Sequence, residues 1–223
     1  MEKEKNSYNH IIRSLGFVGG SQIIVIILGI IKTKIIAIIL GPSGVGISGI
    51  FQNIVELVRN ATSFGINYSG VKKIAEASNN DSKYNISLNI IVLRRWSFAT
   101  GILGLIIMVI FSKYFSKSSF SDDAHIFDII ALSLVILLSS VSAGQIALLQ
   151  GLRKIKKMAW ASILGALLGT LFTLPLYWIF GLGGIVYSMI LNAFISLLVS
   201  WYFSIKIKKS EYENLYYFSY FVE

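Results

Sequence analysis

The stretch GIIKTKIIAIILGPSGVGISGIFQNIVELVRNATSFG, residues 29–65, decides how the chain is read. Its first apolar run carries Lys32, Thr33 and Lys34 and stops at the turn signal Gly-Pro-Ser-Gly of residues 41–44. The next run carries Gln52, Asn53, Glu56, Arg59 and Asn60. On a soluble helix such groups would sit in water at no cost, whereas inside a bilayer each ionised one costs several kcal/mol and marks a function. Whether these segments span a membrane is therefore the first question.

The rest of the chain answers it. Of its 223 residues 55% are hydrophobic and only 14% charged, and the mean hydropathy of +0.71 is that of an integral membrane protein. The absence of cysteine excludes disulfide scaffolds, thiolate metal sites and cysteine nucleophiles, and two histidines, His10 and His125, leave little for zinc or general-base chemistry. No Walker loop, Ser-His-Asp set or carboxylate pair within one span is present, so neither an enzyme nor a bound cofactor or metal is expected. The net charge of +9 lies in short basic clusters between apolar runs, a pattern of membrane topology and not of nucleic-acid binding.

An all-α membrane protein of six helices is expected, at about 15–40, 45–64, 87–111, 126–149, 158–180 and 182–205, each long enough to cross. A polar N-terminus (1–14) and an interfacial, aromatic-rich tail (206–223) flank them. The first apolar run is too long for a signal-peptide core and reads as an uncleaved helix. With six spans, fifteen basic residues fall on one side: Lys3, Lys5 and Arg13; Lys72, Lys73, Lys83, Arg94 and Arg95; Arg153, Lys154, Lys156 and Lys157; Lys206, Lys208 and Lys209. Lys113 and Lys117 alone fall on the other. A five-span chain, with the second segment outside the membrane, separates charge less well, so both termini are placed in the cytoplasm.

At 3.6 residues per turn the second segment brings Ser48, Gln52 or Asn53, Glu56, Arg59 or Asn60, and Ser63 onto one stripe, which must face other helices or water. Glu56 and Arg59, three apart, can pair within the helix or line a cavity. In the first segment Gln22, Gly29, Lys32 and Thr33 share a face; Lys34, about 200° from Lys32, points elsewhere and can snorkel to the interface. Ser188, Asn192 and Ser196 form a milder stripe in the sixth segment, Gln145 and Gln150 read as interfacial, and the pairs Gly165/Gly169 and Gly16/Gly20 read as packing faces. Apart from Asp128 at the very start of the fourth segment, Glu56 is the only acid in a span, so a cavity built from these residues is mostly positive and favours an anionic ligand.

The segment KTKIIAIILGPSGVG (32–46), together with SFGI (63–66), GVKKIAE (70–76) and QGLRKIK (150–156), resembles the O-antigen flippases of the multidrug, oligosaccharidyl-lipid and polysaccharide exporter superfamily. The resemblance runs over nearly the whole chain and implies two six-helix bundles that work by alternating access. It implies a substrate, an oligosaccharide on undecaprenyl pyrophosphate, and a location in the bacterial cytoplasmic membrane. In related lipid II flippases, cations of the first two helices face the cavity, and the matching positions are Lys32 and Arg59, with Glu56 orienting Arg59. The expected substrate-binding set is Lys32, Arg59, Glu56, Asn53, Gln22 and Thr33, with Lys34, Asn60 and Asn192 secondary.

Family members carry about twelve spans, so this chain is expected to be the N-terminal half, with membrane lipids around it and a second six-helix half supplied by another chain or a second copy. The alternatives are an ion-coupled multidrug exporter, which calls for acids deep in the bundle, and a non-transporting scaffold or inactive truncated product, which calls for no cavity.

Overall fold

The computed structural model describes residues 2–79 and 83–211. Helix α1 (Glu2–Ser63) is by far the longest and is broken at Gly41, whose φ of 72° and ψ of −173° belong to a region open only to glycine. Pro42 opens the second arm, where its missing N–H would have no partner anyway, and Ser43 Oγ donates to the Leu40 carbonyl at 3.4 Å. The helix resumes directly after the break, at 42, where the sequence suggested a turn running to 44. On a straight helix Lys32 and Glu56 would stand about 36 Å apart. They line one cavity instead, so the second arm returns past the first.

Three elements follow in the order α2 (Ile66–Asn79), α3 (Lys83–Ile110) and α4 (Ser112–Phe120). Phe64 and Gly65, both at positive φ, turn the chain into α2. The segments 65–86 and 112–125 read as connections from the sequence, whereas the structure places α2 and the first turn of α3 in one and α4 in the other. Helix α2 buries Ile74 and Ala77 and leaves Lys72, Lys73 and Glu76 exposed, a short amphipathic helix too polar to cross. Helix α4 ends at Ser121, whose αL backbone directs its N–H to the Lys117 carbonyl.

The chain closes with α5 (Ile126–Gly151), α6 (Ile155–Phe180) and α7 (Gly184–Glu211), the last two joined by a 3-10 turn (Gly181–Gly183) that starts at the positive φ of Gly181. Helices α6 and α7 form a tight hairpin. A Cβ on Gly184 would strike the Leu176 carbonyl, and one on Gly169 would strike the Asn192 amide. Gly165 faces Ser196 at 3.8 Å, so the small-residue pair of α6 serves the approach of α7. By contrast, Gly16 and Gly20 have nothing within 4 Å. The aromatic-rich segment 212–223 lies outside the described residues.

Two apolar clusters make the core. One joins Phe51, Val58, Met108, Ile129, Leu132, Ile136, Tyr177 and Ile185; the other joins Ile74, Ile86, Ile90, Leu93, Leu148, Leu149 and Ala161. Buried polar groups tie α3, α5 and α7 together. Arg94 Nη2 donates to Gln145 Oε1 at 3.1 Å and to Ser204 Oγ at 2.9 Å, while Ser204 Oγ donates to Gln145 Oε1 at 2.6 Å. Ser142 Oγ lies 3.0 Å from Ser200 Oγ and 3.4 Å from Ser196 Oγ.

Large apolar side chains such as Ile38, Trp178 and Phe127 face outward, the reverse of a soluble protein. Four stretches are long and apolar enough to cross a membrane: Gly19–Ser63, Tyr84–Ile110, Ile126–Gly151 and Ile155–Ile205. The first and last, of 45 and 51 residues, exceed twice the length of about 20 residues that one crossing takes, and each is broken at a positive-φ glycine. Lys156 Nζ sits 5.5 Å from the Phe17 ring centroid, Asn89 Nδ2 donates to the Lys73 carbonyl, and Gly151 packs on Ile74. Those contacts gather the start of α1, all of α2 and the basic connections near it at one end of the bundle. At the other end, Phe51 and Phe120 pack with the His125 ring, which Asp128 holds at 2.9 Å.

Candidate functional site: a cavity with two cations

Between the helices lies a cavity of about 670 Å³. The second arm of α1 supplies its charged wall, because Gln52, Glu56, Arg59, Asn60 and Ser63 recur every three to four residues and so share one face. Lys32 comes in from the first arm. The facing walls are uncharged and mixed: Thr100 of α3, Ser139, Ser140 and Ser142 of α5, and Asn192 and Ser196 of α7 stand among apolar residues such as Val135, Ile146 and Met189. Helix α2 adds Asn67 and Tyr68 at one end.

Gln52 Nε2 donates to Glu56 Oε1 at 3.0 Å. Glu56 is thus held by the residue one turn earlier, and no Glu56–Arg59 ion pair forms among the described residues. Neither the Lys32 ammonium nor the Arg59 guanidinium has a hydrogen-bond or ion-pair partner among those residues, although both are half-buried. Among the described residues, the only acid on the lining is Glu56. No group of three or more His, Cys, Asp or Glu that could hold a metal occurs among the described residues. Such a cavity can hold an anion against two fixed cations, with hydroxyls and amides to orient whatever is attached to it.

A family model described as polysaccharide biosynthesis protein matches residues 11–220. The chain belongs to that family. No curated protein and no solved structure matches it.

Of the residues singled out in the sequence of this polysaccharide biosynthesis family member, Lys32, Glu56, Arg59, Asn60 and Asn192 line the cavity. Asn53, Gln22, Thr33 and Lys34 are exposed and lie outside it. For Asn53 the neighbouring Gln52 takes the lining position, one turn before Glu56, to which its amide donates. Gln22 shares a face with Lys32 but lies about 15 Å further along the axis. Thr33 Oγ1 turns back onto the Gly29 carbonyl at 3.0 Å, a common way for a membrane helix to satisfy a hydroxyl. Lys34 points away from Lys32, as its 200° offset requires.

The hydroxyl wall of α5 went unread in the sequence, yet the run Ser139-Ser140-Val141-Ser142-Ala143-Gly144 carried the signal. Small polar residues at three- to four-residue steps inside an apolar helix face a neighbour or a cavity, not lipid. Gln145 and Gln150 read as interfacial, whereas Gln145 is buried and Gln150 lines the cavity; Asn67 and Tyr68 escaped because the segment that brings them there read as a loop.

Proposed function

We propose that the chain moves an undecaprenyl-pyrophosphate-linked oligosaccharide, such as an O-antigen repeat unit, across the bacterial cytoplasmic membrane by alternating access. In this reading it crosses the membrane six times with both ends in the cytoplasm, and the breaks at Gly41 and Gly181 lie on the outer side. The observation that carries it is the pair of cations on a cavity between membrane-spanning helices, neither with a partner among the described residues. Such charges are expensive unless a ligand uses them. A pyrophosphate does, since it takes fixed cations in charge-assisted bonds that water competes with poorly at a secluded site. Membership in a polysaccharide biosynthesis family supports a lipid-linked saccharide over other anions.

Gln52, Asn60 and Tyr68 line the cavity and yet remain exposed, so its open side cannot face lipid. A second helical bundle of the same kind is the cover we propose.

The test is complementation of a strain lacking its own exporter, read by surface glycan. Lys32→Ala and Arg59→Ala are expected each to abolish export while the protein still inserts at normal levels. Normal export from either variant would overturn the assignment of that residue. Efflux of cationic dyes by the wild type would point instead to a multidrug exporter.

A further inference from the structure

The cavity changes character along its length. Lining residues of the second arm of α1 run from Gln52 to Ser63, a rise of about 16 Å. At the Ser63 end the chain turns through Phe64 and Gly65 into α2, which brings Asn67 and Tyr68 to the same rim as Asn60. Gln150, in the last turn of α5, joins them because α5 ends against α2: a Cβ on Gly151 would lie 2.8 Å from Ile74 Cβ and 3.1 Å from the Val71 carbonyl. Three amides and one phenol ring thus meet at this end of the cavity, beside the apolar Ile66, Val71 and Ile146. Tyr68 is 86% exposed and has no hydrogen-bond or ring partner among the described residues, so its faces are free.

A free aromatic face beside several amides is the chemistry that recognises a sugar. The C–H face of a pyranose carries partial positive charge and stacks on the negative face of an aromatic ring. Side-chain amides both donate and accept, matching pairs of adjacent hydroxyls. A tyrosine that merely anchors the chain at the membrane interface would need none of the amides. The placement fits a glycosyl phosphate as well. In such a molecule the first sugar is bonded directly to the phosphate, and Asn60 follows Arg59 in sequence with both on the lining. At about 670 Å³ the cavity is of the size, roughly 300–1,000 Å³, that encloses one drug-sized group. That is room for a pyrophosphate with one sugar and not for a whole oligosaccharide.

We infer that Asn60, Asn67, Tyr68 and Gln150 form a saccharide subsite that reads the first sugar of the lipid-linked substrate. The inference rests on the proposed function, in which Lys32 and Arg59 hold the adjoining pyrophosphate.

The experiment compares two probes on the protein in lipid nanodiscs: undecaprenyl pyrophosphate, and the same lipid carrying one N-acetylhexosamine. The wild type is expected to bind the sugar-bearing lipid about tenfold more tightly, the sum of one stacking contact and one or two hydrogen bonds. Tyr68→Ala should lower the ratio of affinities about threefold, the share of the stacking contact, Tyr68→Phe should keep most of it, and Lys32→Ala should weaken both lipids while leaving the ratio. The exposure of Tyr68 makes a folding defect an unsuitable explanation for a changed ratio, and a thermal melt of each variant checks this. Equal wild-type affinity for the two lipids, or an unchanged ratio in Tyr68→Ala, overturns the subsite and leaves the pyrophosphate site standing. Failure to bind either lipid overturns the proposed function, and the subsite falls with it.

Discussion

Replacing Gln145 by leucine is expected to loosen the bundle. Gln145 Oε1 accepts from Arg94 Nη2 at 3.1 Å and from Ser204 Oγ at 2.6 Å, so one oxygen joins α5 to both α3 and α7. Leucine keeps the volume and removes both bonds. The bond to the guanidinium is charge-assisted, at about 1.5–3 kcal/mol, and the neutral one contributes about 0.5–1.5 kcal/mol. Interhelical hydrogen bonds in membrane proteins average nearer 0.6 kcal/mol, because a membrane-unfolded chain finds other partners. That lower figure fits the Ser204 bond. It underestimates the Arg94 bond, because a guanidinium that loses an acceptor inside the bundle cannot be left uncharged. The expected loss is therefore about 2–4 kcal/mol, measured by reversible unfolding in mixed micelles. Gln145→Glu, which keeps an acceptor and adds a countercharge, should cost far less. A leucine variant within about 0.5 kcal/mol of wild type would refute the view that this triad ties the three helices together.

Gly41→Ala should destabilise by about 1–3 kcal/mol, because its φ of 72° and ψ of −173° are closed to a residue with a Cβ; nothing lies within 4 Å of that Cβ, so the loss is conformational and should appear equally with serine. On α2, Ile74→Ala removes a fully buried side chain and should cost about 2–5 kcal/mol in the same unfolding assay. Lys72→Ala breaks only the exposed 4.0 Å pair with Glu76 and should change stability by about 0.5 kcal/mol or less. Lys32→Met should leave the bundle as stable as wild type or more stable while transport is lost, which a combined unfolding and export measurement would check.

The long helices were legible because apolar runs of 20 or more residues, closed by glycine, leave few alternatives, as residues 126–151 illustrate. The short helices were not. In α2, Lys72, Lys73 and Glu76 mask the period of Ile66, Gly70, Ile74 and Ala77, which becomes decisive only once α3 and α5 offer a surface to pack against. For the site, rotational phase placed Glu56, Arg59 and Lys32 on inward faces. Phase alone could not say how deep along the axis a residue lies, which is why Gln22 fell outside, nor choose between neighbours such as Gln52 and Asn53. The Glu56–Arg59 pair expected from three-residue spacing lost to Gln52, whose four-residue spacing brings its amide directly over the carboxylate.

The same chain treats its cations in two ways, and the contrast bears on function. Arg94 donates through Nη2 to acceptors on two other helices, which turns the charge into a structural tie. Lys32 and Arg59 belong to the same apolar framework and receive no such acceptors among the described residues, although Glu56 stands three residues from Arg59 and is occupied by Gln52. A buried cation without acceptors subtracts from stability. Strain of that kind persists where something outside the fold uses it, and sites that violate the local rules of folding are where function concentrates. The charge left open is positive, it sits beside hydroxyls and amides on the facing helices, and the groups closest to its rim are those that suit a sugar. A packing scaffold would have no need to leave two cations open in this way, whereas a carrier of a glycosylated pyrophosphate requires the cations and the neutral polar wall together.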